Sequence, residues 1–180
     1  MNRLILGIDP GTTESGVCLI EAKDFNQPNI VRADKVINNE VRKIIWHEVK
    51  TIWHQVTPET KQIDVVIEGM ANQSRAFGQS SIETCYFIGR IMEFCDGLDT
   101  NIPVTLYKRH EYGRFFVNNG LLKDATLRAA LETIYGPSAK KTDPLYALRG
   151  ASDKRSAFAL AKYHEHRLAA MVKVSDFATW

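Results

Sequence analysis

Residues 3–20 read RLILGIDPGTTESGVCLI. An apolar run stops on Asp9, Pro10-Gly11 makes a turn, and a second apolar run fills Gly16–Ile20. Two short branched-aliphatic runs either side of a Pro-Gly turn read as a pair of strands, with an ionisable residue where the first one ends. A third strand is expected over Asn29–Ile37 (NIVRADKVI), after the turn-rich FNQPN, which gives an antiparallel meander. The period then changes. Val41, Ile44, Ile45, Val49, Ile52, Trp53 and Val56 share one helical face. Ile63–Glu68 (IDVVIE) is too short for a helix and reads as a buried strand that again ends on an acid. Helices are expected over Gln79–Phe94, Lys108–Val117, Asp124–Tyr135 and Ala151–Met171, with a short strand at Ile102–Leu106 and a loop over Gly136–Gly150. Hairpin-linked strands followed by strands alternating with helices predict an α/β fold, a five-stranded mixed sheet flanked by helices.

The chain has 180 residues, a length that suits one domain, residues 1–180, with a sizeable core. Its 23 Lys+Arg against 21 Asp+Glu give a net charge of +2, which argues against a polybasic DNA coat. The average hides an asymmetry. Residues 1–107 carry 10 basic and 14 acidic groups (net −4), whereas residues 108–155 carry 10 basic and 5 acidic (net +5). A basic segment beside an acidic one is the first functional hint. No apolar run approaches the roughly 18 residues of a membrane span. The start lacks the cleavage signature of a secretory signal, so a cytoplasmic, non-secreted protein is expected. Cys18, Cys85 and Cys95 each sit in an apolar pattern without CxxC spacing, which predicts buried free thiols and no zinc site.

The acids at the strand ends carry the chemistry. A carboxylate buried at the end of a central strand costs several kcal/mol without a compensating charge, and this chain does it twice, at Asp9 and Glu68. Adjacent parallel strands would bring both to the edge of the sheet where α/β folds bind ligands. A hard divalent cation, Mg²⁺ or Mn²⁺, is the natural bridge between two carboxylates. Asp153 is the candidate third acid. It opens the last helix, whose small residues Ala157, Ala159 and Ala161 allow a close approach to the sheet. Capping of that helix by Asp153 explains it equally well on local grounds. Thr12 and Thr13 follow Asp9 in a Gly-containing turn suited to a phosphate.

Taken together these residues resemble the RuvC-type Holliday-junction resolvases, a branch of the ribonuclease-H-like nucleases. The matching stretches are LGIDPGTTESGVCLI, DVVIEGM, ANQSRAFGQSSIETCYFIGRIMEF, VTLYKRHEYGRFFVNNGLLKDATLRAAL and SDKRSAFALAKYH, in the family's order along almost the whole chain. The resemblance implies that Asp9, Glu68 and Asp153 are catalytic metal ligands. In family members the last helix usually supplies two site residues three apart, a His or Asp followed by an Asp, and Asp153 takes the first of these positions. Ser156 stands at the second in this chain, and Asp143 is a weak substitute for the missing carboxylate. Asn72, Gln73, Ser74 and Arg75 would touch the DNA backbone. Met70 or Phe77 would supply an apolar wedge, with core packing the other reading of Phe77. Lys108, Arg109, Arg114, Lys123, Lys140, Lys141, Lys154 and Arg155 would face phosphates, with Arg149 nearby.

The implied activity is hydrolysis of DNA phosphodiesters at four-way junctions with two Mg²⁺ ions about 4 Å apart, Mn²⁺ substituting, to leave a 5′-phosphate and a 3′-hydroxyl. Two nicks in a two-fold junction call for a homodimer. Helix Gln79–Phe94 is the candidate interface through Ile82, Tyr86, Ile88 and Phe94, which could equally be core. Two alternatives keep the fold: a nuclease for forks or flaps, and a catalytically inactive junction-binding module. An actin-like ATPase shares the Asp-x-Gly-Thr-Thr turn but needs two such domains.

Overall fold

The computed structural model describes residues 3–54, 62–70, 78–98, 102–117 and 123–177. Five strands form one sheet in the order β3-β2-β1-β4-β5: β1 Arg3–Pro10, β2 Glu14–Ala22, β3 Ile30–Ile37, β4 Gln62–Gly69 and β5 Val104–Lys108. β1–β2 and β2–β3 pair antiparallel, and β1–β4 and β4–β5 pair parallel. The expected mixed sheet is therefore the observed one. Its helices are α1 Asn38–His54, α2 Gln79–Asp96, α3 Arg109–Phe116, α4 Asp124–Tyr135 and α5 Ser152–Phe177.

Strand alternation sorts the side chains into two cores. Leu4, Leu6, Ile8, Val65 and Ile67 face α1 and α2, where Val41, Ile44, Ile45, Val49, Phe87, Ile88 and Ile91 meet them. Ile5, Cys18, Ile20 and Val66 face the other way, toward α3, α4 and α5. Asp9 shares the parity of Ile5, and Glu68 that of Val66. Both acids therefore emerge on the face that α5 covers. Ile8 pairs with Ile67, so Asp9 and Glu68 follow side by side on parallel strands.

Two glycines bring α5 onto this face. A Cβ on Gly7 would lie 2.1 Å from the Ala157 carbonyl oxygen, and one on Gly16 would lie 2.3 Å from the backbone of Asp153. Only glycine permits such contact, and Ala157 and Ala161 complete it from the helix side. α5 is wrapped by neighbours: Ser156 to Lys162 are all buried without interruption.

Two expectations are corrected. β5 begins at Val104, two residues later than the apolar run, because Pro103 has no N–H for the ladder. Ile102 is buried in the core ahead of the strand, and the Pro103 carbonyl accepts from Val65 N–H. Cys18 and Cys95 are buried free thiols, but Cys85 is exposed because it falls on the outer side of α2. On the same helix, Ile88 is buried and Phe94 packs against the core, whereas Ile82 and Tyr86 are exposed. Met70 is partly buried and packs against that core. The side chains of Ile52, Trp53 and Val56 lie outside the described residues. No helix among the described residues is long and apolar enough to cross a membrane.

Candidate active site

The site is assembled by the register of the sheet. Asp9 pairs with Gly16 across the β1–β2 hairpin, and the first turn of α5 rests on Gly16 through the Asp153 backbone. The same glycine thus fixes the first and third acids beside each other. Glu68 arrives from β4 at the next position across the sheet. Asn38, the first residue of α1, ties down the turn between β1 and β2. Its amide donates to the carbonyls of Gly11 (3.0 Å) and Thr12 (3.1 Å), and its oxygen accepts from the Ser15 hydroxyl (2.7 Å). The result is a cleft of about 460 Å³ lined by Asp9, Thr12, Thr13, Lys35, Arg109, Asp124, Asp153 and Ser156, with Pro10, Gly11, Glu14 and Ser152.

The three acids are held differently. Burial, reinforced by Glu68, pushes the Asp9 carboxyl up to about 7, against the pull of Arg109. Its direct stabiliser is a hydrogen bond from Ser156, a buried hydroxyl one turn into α5. Glu68 is also raised by burial and does not line the open cleft. It accepts from the hydroxyl of Tyr112, a fully buried residue of α3, and sits 3.5 Å from Nη1 of Arg109. The second Arg109 nitrogen bonds Asp124 at 2.9 Å, and Nη1 reaches the Ser156 hydroxyl at 3.5 Å. Asp153 accepts from Ser152 at 3.0 Å and pairs with Lys35 of β3 at 3.2 Å. Lys35 also holds Glu14 at 3.2 Å.

Such a donor set fits a hard divalent cation, since it is all oxygen and its central member, Asp9, is destabilised in its ionised form by burial and a second carboxylate. The carboxylates face Arg109, Tyr112 and Lys35. Among the described residues no three His, Cys, Asp or Glu side chains converge into a ready cluster.

Of the residues expected to touch DNA, Thr12, Thr13 and Arg109 line the cleft. Lys108, Arg114, Lys123, Lys140 and Lys141 are exposed. Lys154 and Arg155 are half-buried and tether the preceding loop, donating to the carbonyls of Ala147 (2.7 Å) and Leu148 (3.3 Å). Asp143 accepts from the Lys140 amide at 2.6 Å, closing its own turn, and does not line the cleft. Asn72, Gln73, Ser74, Arg75 and Phe77 lie outside the described residues. Lys35, Asn38, Tyr112 and Asp124 were not singled out from sequence. Lys35 and Asp124 carried no local signal, being charged residues on a strand and at a helix start. Tyr112 could have been suspected because it lies four residues before Phe116, on the apolar face of a short helix.

No protein-family model matches the chain, and no curated protein matches it in sequence. Among the solved structures that match in fold are Thermus thermophilus RuvC and T. thermophilus RuvC in complex with a Holliday junction substrate. Each superimposes with a TM-score of 0.57 at 17% identity, covering 94% of this chain and 96% of that one. Over nearly its whole length, this chain has a RuvC-type, ribonuclease-H-like fold.

Proposed function

We propose that this chain is a divalent-metal-dependent DNA endonuclease that resolves four-way junctions as a homodimer. One observation carries the reading: Asp9 and Glu68 emerge side by side from parallel strands, and Gly16 docks Asp153 beside them, at the wall of an open cleft. A comparable fold in a complex with a Holliday junction supports the choice of substrate.

Asp9, Glu68 and Asp153 would hold Mg²⁺ or Mn²⁺. When bound, the ions would supply a nucleophilic water at neutral pH and charge stabilisation for the scissile phosphate. The protein's own groups set the stage for that chemistry. Ser156 orients Asp9 by hydrogen bonding, and the Tyr112 hydroxyl holds Glu68 in one rotamer. Thr12 and Thr13, held by Asn38 through their turn, present hydroxyls to the cleft. The exposed lysines and Arg114 of residues 108–141 add the positive field that draws DNA to an acidic centre.

The dimer rests on α2. Ile82, Tyr86 and Met92 are exposed at 38%, 67% and 39%, and all lie on its outer side. Gly89 lies on that side too, with nothing within 4 Å of the Cβ it lacks. A mid-helix glycine costs about 1 kcal/mol relative to alanine, and nothing within the described residues requires it. A partner helix crossing at Gly89 explains the glycine and covers the stripe. Gly89→Leu is expected to convert the protein to a monomer in sedimentation equilibrium while it stays folded.

The test of function is a labelled mobile four-way junction, a fork and a linear duplex, each incubated with protein and Mg²⁺. Paired symmetric nicks in the junction are expected, with the duplex left intact. Preferential cutting of the fork would remove the junction assignment, and no nicking with either Mg²⁺ or Mn²⁺ would remove the nuclease.

A further inference from the structure

Two of the three site carboxylates, Glu68 behind the cleft wall and Asp153 on it, already have a cation. Arg109 stands between Glu68 and Asp124 and touches Ser156. Lys35 stands between Asp153 and Glu14. The two come from opposite sides of the cleft, from the start of α3 and from the outermost antiparallel strand. Neither is buried: the side chains of Lys35 and Arg109 are 42% and 34% exposed. Each has a second acid at the rim, Glu14 or Asp124, to retreat to.

A divalent ion needs the same carboxylate oxygens. Glu68 cannot turn fully to an ion while it serves Arg109, nor Asp153 while it serves Lys35. We infer that Arg109 and Lys35 are resident counter-cations of the metal-free cleft, displaced to Asp124 and Glu14 when a divalent ion enters, and that this displacement couples metal loading to DNA binding. The displaced guanidinium and ammonium still line the cleft, where they would face the phosphate that the metal draws in. By linkage, a metal that frees them tightens DNA binding, and DNA that engages them tightens metal binding by the same factor. The metal half of this inference rests on the three-carboxylate reading of the site, and the DNA half on the nuclease reading.

Calorimetric titration with Ca²⁺ in the absence of DNA separates the possibilities. Arg109→Gln is expected to bind Ca²⁺ about tenfold more tightly than wild type, and Lys35→Gln about threefold, because competing cations have been removed. Unchanged or weaker binding in both variants would overturn the inference, since side chains that merely preorganise the acids would loosen the metal when lost. The exposed Lys35 variant keeps the test valid if Arg109→Gln folds poorly. A second readout is the junction affinity in Ca²⁺ relative to that in EDTA. This metal-induced gain is expected to shrink at least threefold in the double variant; an undiminished gain contradicts the coupling. Should wild type bind no Ca²⁺ at millimolar concentration, the metal site fails along with the inference. Ca²⁺ binding that leaves variants and wild type equal defeats the inference alone.

Discussion

Lys162 and Asp9 lie on the same side of the sheet, one on α5 and one under its first turn, yet their surroundings are opposites. The fully buried Lys162 ammonium donates to the carbonyls of Asp24 (3.2 Å) and Gln27 (2.8 Å) and to the carboxylate of Glu165. All three of its donors are used. The rings of Phe25 and Tyr135, with centroids 5.2 and 5.5 Å away, enclose it further. Asp9 has a hydrogen bond from Ser156, two acidic neighbours, and no ion pair among the described residues. A buried charge that closes on itself holds the β2–β3 turn against α5. One left uncompensated at the mouth of a cleft leaves binding energy for something that arrives from solution.

The two clusters should therefore respond to mutation with opposite signs. Lys162→Ala strands the buried Glu165 carboxylate and two backbone carbonyls and should destabilise the fold by about 3–5 kcal/mol in denaturant titration. An effect below about 1 kcal/mol would mean that the cluster is not the closed unit described. Next come the glycines under α5. Gly7→Ala and Gly16→Ala force the helix backbone away and should each cost about 1–3 kcal/mol. Only the second moves Asp153, so only Gly16→Ala should lose nicking out of proportion to its stability.

Asp9→Asn reverses the sign. A carboxyl whose folded pKa is raised to about 7 makes the metal-free protein less stable as pH climbs from about 4 to 7. The amide removes that loss. Metal-free Asp9→Asn should be more stable than wild type by up to about 4 kcal/mol at pH 8 and indistinguishable at pH 4. A variant less stable at pH 8 would show that Asp9 is a structural charge like Lys162. Added Mg²⁺ should raise the melting temperature of wild type but not of the variant.

Much of this contrast could be read from the chain. Asp9 and Glu68 were visible because a carboxylate closing an apolar strand is costly and local. The meander, the buried β4 and all five α-helices followed from the local sequence pattern. Other features depend on which elements meet. Gly7 and Gly16 look like ordinary strand residues until α5 lies across them, and only then does Asp153 become a neighbour of Asp9. Lys35 and Asp124 acquire a role through partners more than 15 residues away or on another element. The Lys162 cluster joins α5 to a turn well over 100 residues earlier, and no period reveals that. On α2, two apolar stripes share one helix, and sequence could not say which of Ile82, Tyr86, Ile88 and Phe94 faced inward.

The most direct measurement is the nicking of a four-way junction by wild type and by Asp9→Asn, compared at equal junction occupancy in Mg²⁺ buffer. Wild type should introduce paired nicks. The variant should bind the junction and cut at least about 1,000-fold more slowly, a loss of roughly 4 kcal/mol of transition-state stabilisation. Comparable cutting by the variant would contradict the assignment of the open cluster as the catalytic metal site.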